Sequence, residues 1–219
     1  MTQPPRTPET DLKAVQLDLL GGHPCLDFVN TVERRGTPEA VDFLPDYAQL
    51  VAWCHHAGLL SADEFIRLHD AASHDRAQAK DVHRRAIELR EVMAQVLDDL
   101  AHEQPPSAAT LEPLNRSLQA PGARRALEPT AGGAAWRWPG LPSRLDAILG
   151  PLSWAAADLL TMKRAHPLRQ CGGCGWLFLD TSRNHMRRWC SMAACGSKMK
   201  SRRQYQRKQA QATVELPPR

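Results

Sequence analysis

Aromatic residues are scarce in this chain: Phe, Trp and Tyr make up 5% of its 219 residues, with four Phe and two Tyr. The 42% of hydrophobic residues is therefore mostly aliphatic, and it supports a real core. No apolar run reaches the roughly 18 residues that a membrane span needs. Met1–Thr10 contains three prolines and no apolar h-region. It reads as a flexible tail and not a signal peptide, which predicts a cytoplasmic protein without membrane contacts. There is no phosphate-cradling loop, internal repeat or long low-complexity tract. Acidic residues almost vanish towards the C-terminus. From Thr161 to Arg219, Asp180 and Glu215 face 13 Lys and Arg, a formal charge of +11 in a chain whose net charge is +4. The preceding 160 residues carry 15 basic and 22 acidic side chains, a formal −7. An acidic body joined to a basic end points to a polyanion partner, the plainer alternative being a solvated basic tail.

What the chain does contain is a cysteine cluster. Cys171, Cys174, Cys190 and Cys195 fall within 25 residues in the pattern C-x2-C, x15, C-x4-C. Four thiolates can surround one Zn2+ tetrahedrally. Gly172, Gly173 and Gly175 allow the first pair to form a tight knuckle. A redox C-x-x-C pair would leave Cys190 and Cys195 unexplained. Two disulfides would need an oxidising compartment. His166 and His185 are alternative metal ligands that four cysteines make unnecessary. Four thiolates on Zn2+ would lower the local charge by two and leave it strongly positive. Cys25 and Cys54 read as small buried side chains.

The region before the cluster reads as mainly helical. Leu17–Leu20 suggests a strand ending at Gly21-Gly22, and Pro24 suits the first turn of a helix. His23, Asp27 and Glu33 are the candidates for an enzymatic reading. The alternative places Asp27 in a first helical turn and lets Asn30 satisfy backbone groups. Helices are expected over 42–56, from the Ser61/Glu64 capping box onward, and over 78–102 with Val82, Ala86, Leu89, Met93 and Val96 as the packing stripe. A further helix follows Ser107, a hairpin is expected over 124–138, paired with 17–20, and another helix over 143–164 is broken at Gly150-Pro151.

Inside the cysteine module, Trp176–Leu179 reads as a strand, with Trp176 and Phe178 on one face and Leu177 and Leu179 on the other. A helix should follow, carrying Met192, Cys195 and Met199 in an apolar seam. Zinc would substitute for a core that so short a segment lacks, since structural zinc contributes roughly 10–16 kcal/mol to such folding. Arg183, Arg187 and Arg188 in the hairpin, and Lys198, Lys200, Arg202, Arg203, Arg207 and Lys208 on the helix, are candidate nucleic-acid contacts, because phosphates need such donors. Tyr205, Trp176 and Trp189 could stack on exposed RNA bases, although packing against the knuckle is the simpler role for Trp189.

These residues carry a family resemblance. The segment from Cys171-Gly-Gly-Cys-Gly-Trp to Asn184, followed by Arg187-Arg-Trp-Cys-Ser-Met-Ala-Ala-Cys-Gly196, resembles the CGNR zinc finger. Gly21-Gly-His-Pro-Cys-Leu-Asp-Phe-Val-Asn-Thr31 resembles the start of its companion ABATE domain. The resemblance implies a bacterial stress-induced transcription regulator, with one structural zinc on Cys171, Cys174, Cys190 and Cys195 and a C-terminal module that binds DNA. RNA binding has also been ascribed to such proteins. The usual Cys-Gly-Asn-Arg signature is here Cys195-Gly196-Ser197-Lys198. A bidentate contact made by the usual arginine does not transfer to lysine.

The expected architecture is α+β. A flexible tail over 1–14 precedes a mainly helical ABATE-like domain over 15–165 with a small β-hairpin or sheet. A treble-clef or zinc-ribbon-like finger with its basic helix spans 166–209, and a second flexible tail spans 210–219. The expected function is a non-enzymatic, zinc-containing, DNA-binding regulator, whose N-terminal domain senses a small-molecule effector, mediates homodimerisation, or both. The alternatives are an RNA-binding accessory protein and a protein-interaction module with a structural zinc.

Overall fold

A computed structural model describes residues 13–139, 141, 144–163 and 166–214, the last with backbone alone at 203 and 207–214. The helical body contains α1 (Pro24–Val29), α2 (Tyr47–His56), α3 (Ala62–His74), α4 (Arg76–Ala101), α5 (Ala108–Gln119) and α6 (Leu149–Thr161). Short antiparallel pairs are inserted: β1 (Val32–Glu33) with β2 (Val41–Asp42), and β3 (Ala126–Thr130) with β4 (Gly133–Arg137). The C-terminal module contains β5 (Leu168–Gln170), β6 (Leu177–Leu179) and α7 (Ser197–Val214). The architecture is the α+β one expected, a mostly helical region with small sheets followed by the cysteine module.

Helix α4 is the axis of the body. Val82, Ala86, Leu89, Met93, Val96 and Leu97 are buried along it, and it packs against α1, α2, α3, α5 and α6. Its neighbour α3 begins with the expected capping box: the Glu64 amide donates to Ser61 Oγ and the Ser61 amide to Glu64 Oε2. Burial treats Cys25 and Cys54 as apolar groups and pushes the Cys25 thiol up to about 12, the nearby Asp27 charge adding to the shift.

Several expectations need correction. Leu17–Leu20 is not a strand; Lys13–Gln16 forms a 3-10 turn whose Ala14 is buried and donates its amide to Gln49. Lys13 and Ala14 therefore do not belong to a flexible tail, while the rest of that tail lies outside the described residues. The β3–β4 hairpin forms, but among the described residues it pairs with no other strand. It is fastened instead by Arg125, whose guanidinium lies over Trp136 at 4.0 Å and over Trp154 at 3.4 Å. Asp42 does not start α2; it lies in β2, and Asp46 caps the helix through the Gln49 amide. Pro151 does not break α6. It occupies the first turn, where a missing N–H leaves no acceptor unpaired. Helix α7 runs to Val214, so part of the tail expected over 210–219 is helical.

The cysteine module is packed onto the body. Leu177 and Leu179 are buried in the main core, while Phe178, between them, faces the cysteines. Leu20 of the body packs against that second cluster. Three hydrogen bonds complete the joint. Asn30 Nδ2 donates to Leu177 O at 2.8 Å, Leu177 N donates to Asn30 Oδ1 at 2.9 Å, and Leu179 N donates to Gly21 O at 2.9 Å. Asn30 is itself positioned at the end of α1, beside Thr31. Thr31 accepts at 3.0 Å from Arg90, a fully enclosed guanidinium that also grips Asp42 through both carboxylate oxygens.

Asn30→Ala removes the partners of both backbone groups of Leu177 in a buried site. A loss of about 2 kcal/mol is expected, with proteolytic cleavage appearing first in 166–214; unchanged urea unfolding and unchanged cleavage would contradict the joint described. Asp27 gives a pH signature. Its carboxylate accepts from Gly21 N at 2.7 Å. Burial nevertheless raises its pKa from 3.8 to about 6, outweighing that bond and the charges of His23 and His56. Because the folded value lies above the unfolded one, its contribution to stability is full below pH about 4 and is lost as pH rises through about 6. Asp27→Asn keeps an acceptor and cannot ionise. Relative to the parent, it should gain about 2–3 kcal/mol between pH 4 and pH 7; a pH-independent difference in urea midpoints would refute this.

Candidate metal centre and nucleic-acid interface

The knuckle sits between β5 and β6. Gly175 N donates to Cys171 O at 2.9 Å and Cys171 N to Trp176 O at 2.8 Å, closing the turn. Gly175 has φ +80°, a conformation that side chains rarely adopt. At Gly173 a Cβ would lie 3.2 Å from Cys195 Cβ and 3.5 Å from its sulfur, so a bare backbone is what lets the second pair approach. Trp189 covers the knuckle, its ring 3.2 Å from where a Cβ on Gly172 would stand. The second pair arrives through a π-turn, Met192–Gly196, capped by Ser191 Oγ accepting from Ala194 N.

All four Sγ atoms lie within 4.8 Å of one another. Cys174 and Cys190 are 3.7 Å apart, as are Cys190 and Cys195. A tetrahedron with metal–sulfur bonds of about 2.3 Å places its sulfurs about 3.8 Å apart, whereas a disulfide needs about 2.05 Å. All six cysteines are free thiols. Burial pushes the Cys174 and Cys190 thiols up, and the negative charge of neighbouring thiolates pushes them further; Cys190 reaches about 12. Cys171 falls to about 7, because hydrogen bonds from the Cys190, Cys174 and Gly173 amides outweigh its burial. A divalent cation is the counter-charge this donor set requires, and it suits one structural zinc ion.

The rest of the hairpin is organised by Asp180, which is fully enclosed. Burial acts to raise its pKa, but hydrogen bonds from the Ser182 hydroxyl and the Arg187 and Ser182 amides, together with the Arg187 charge, bring it down to about 2. Arg187 also lies 4.9 Å over Phe178 and donates to Cys190 O. It is a structural arginine more than an available cation. Arg183, Arg188, Lys198, Lys200 and Arg202 are exposed. The side chains of Arg203, Arg207 and Lys208 lie outside the described residues. Met192 is 68% exposed, not part of an apolar seam, because the π-turn shifts the register by which i, i+3 and i+7 would have aligned. Ser197 donates to Met192 O at 3.1 Å and so helps fasten that turn.

His166 and His185 are a ring pair with centroids 5.7 Å apart, and neither belongs to the four-sulfur cluster. The enzymatic triad does not assemble around Asp27. His23 accepts from Cys25 N and faces Asp158 at 3.3 Å, while Glu33 lies on β1 beside Arg34. Asn30 satisfies backbone as expected, but the backbone belongs to a residue 147 positions away. No local pattern could reveal that partner. Arg90 was detectable in principle, as a charge on the buried flank of the α4 stripe.

Comparison with known families agrees with this division. The ABATE family model, described as "Putative stress-induced transcription regulator", matches residues 22–163. The CGNR zinc-finger model matches residues 168–208. No match was found among curated proteins. The two matches meet at the joint made by Asn30 and Leu177, and the chain belongs to the ABATE family, with a CGNR zinc finger following that domain.

Proposed function

We propose that this protein is a non-enzymatic DNA-binding regulator in which Cys171, Cys174, Cys190 and Cys195 ligate one zinc ion. The zinc holds the hairpin and the start of α7 together, and the exposed cations around them contact phosphate. Arg183, Arg188, Lys198, Lys200 and Arg202 are the contacts argued from exposure; Arg203, Arg207 and Lys208 extend the set by their place on α7. The observation that carries the reading is the unneutralised charge. The ion pairs of the body lie between its own residues, and among the described residues none joins an acid of the body to a cation of the module. With four thiolates on Zn2+ the formal +11 of the C-terminal end falls to +9, and most of that is left for a partner. The helical body supplies the regulatory input, by effector binding, by homodimerisation, or by both. Tyr205, 63% exposed, supports RNA as the second reading, through base stacking.

Purified protein should carry about one zinc per chain. Cys195→Ser should lower that content and loosen 166–214 while the body stays folded; full metal content and unchanged protease resistance would remove Cys195 from the ligand set. For the partner, duplex DNA and single-stranded RNA compete for the full chain across a salt series. Duplex should win, with log K falling by about 0.9 per phosphate contact for each decade of salt. Arg188→Gln should reduce that slope by about one without loss of fold, whereas Arg187→Gln should loosen the hairpin. RNA winning throughout the series would sink the DNA reading.

A further inference from the structure

A cavity apart from the metal centre lies where the start of α2, the last turns of α3 and the start of α4 meet. It is a groove of ≈ 670 Å3, within the roughly 300–1,000 Å3 of small-molecule sites. Its apolar wall includes Tyr47 and Ala79, both buried, and the half-buried Ala72. Arg76 and Lys80 stand at its edge, exposed and four residues apart, on one side of α4. Neither has an ion-pair or hydrogen-bond partner among the described residues. The contrast with Arg84, one turn further on, is direct: its guanidinium is held by both Asp81 and Glu88. Asp46 is the acid in the lining, and its carboxylate is already engaged by the Gln49 amide. His83 also lines the groove, donating through Nε2 to Leu44 O at 2.8 Å.

Two helices begin here. Tyr47 and Ala48 open α2 and Arg76 opens α4. First-turn amides have no intrahelical acceptor and form the positive end of the helix dipole. Both N-termini are already capped by carboxylates, Asp46 on the Gln49 amide and Asp75 on the Gln78 amide, so the positive charge at the groove is that of Arg76 and Lys80, while its wall is largely apolar. A bare inorganic anion would leave that wall wet, and a neutral apolar molecule would leave Arg76 and Lys80 without a counter-charge. The cavity beside Trp176 differs on both counts: it measures ≈ 260 Å3, and its Arg35 is already paired with Glu91.

We propose that this groove binds a free small carboxylate bearing an apolar chain or ring, Arg76 and Lys80 taking the carboxylate and Tyr47, Ala72 and Ala79 the apolar part. The site gives the regulatory input a chemical class, and it rests on the regulator reading for its consequence alone. The test is isothermal titration of the zinc-loaded full chain with decanoate below its micellar concentration, with decylamine as the cation of matching tail. Saturable one-to-one binding of decanoate is expected, with none for decylamine. The Arg76→Gln/Lys80→Gln double variant should bind about tenfold more weakly, and Arg84→Gln, which removes a charge already paired, should bind as the parent does. Equal binding of decylamine, or a double variant no weaker than the parent, overturns the proposal. So does the absence of saturable binding by both decanoate and phenylacetate. No nucleic acid is present, so failure here leaves the DNA reading standing, and loss of DNA binding leaves the groove standing.

Discussion

The pair of hydrogen bonds between the Asn30 amide and the Leu177 peptide is the contact on which the relation of the two regions depends. One side chain there satisfies both backbone groups of a buried residue, its N–H in one peptide unit and its C=O in the next. The geometry copies that of a neighbouring strand, so the edge of β6 is completed without a strand being present. Gly21 continues the imitation by accepting from Leu179. Buried backbone groups tolerate no vacancy, and the module's hairpin is too small to cover its own edge. The body therefore finishes a structure that zinc alone could not, and an exposed strand edge is removed at the same time.

The position of Asn30 is in turn a property of α4. Arg90 reaches from that helix into the core and bonds Thr31 and both oxygens of Asp42, tying the end of α1 and the β1–β2 pair to the axis of the body. A fully enclosed guanidinium is expensive to desolvate, and leaving it unpaired is worse. That asymmetry makes the arrangement specific. Few placements of α1 satisfy Arg90, and those that do set the place of Asn30. The knuckle inherits its orientation through apolar packing of Leu177 and Leu179 into the same core.

Much of this was legible in the sequence where the signal is local. The α4 stripe, the Ser61/Glu64 box, the alternation of Leu177, Phe178 and Leu179, and the cysteine spacing all act within a few residues, and each formed as read. The failures share a different cause. Leu17–Leu20 has the composition of a strand, but a strand requires a partner, and β3–β4 turns away from it to be held by Arg125 between two tryptophans. Pro151 breaks a helix only if the α-helical pattern runs unbroken from 143; Leu145–Ile148 is a 3-10 turn and α6 begins at Leu149, so Pro151 occupies a first turn that has no acceptor to lose. The 3.6-residue period that puts Met192 in an apolar seam is interrupted by the π-turn. By composition Arg187 is one more surface cation, and the contacts of its guanidinium with Phe178 and the Cys190 carbonyl depend on a hairpin whose return path no spacing specifies.

That last case sharpens what charge counting can say. The basic end contains cations of two kinds. Arg187 is consumed internally: its amide serves the Asp180 carboxylate, its guanidinium lies over Phe178, and its Nη2 reaches the carbonyl of Cys190. Arg188, next in the chain, is exposed, 5.6 Å over Trp189. Adjacent arginines thus differ in what they can offer a polyanion, although composition treats them alike. The same distinction separates Arg84, held by two carboxylates, from Arg76 and Lys80. In both regions the informative quantity is the charge that remains after internal pairing. It is positive along the C-terminal module and, locally, at Arg76 and Lys80, within a body whose net sequence charge is negative.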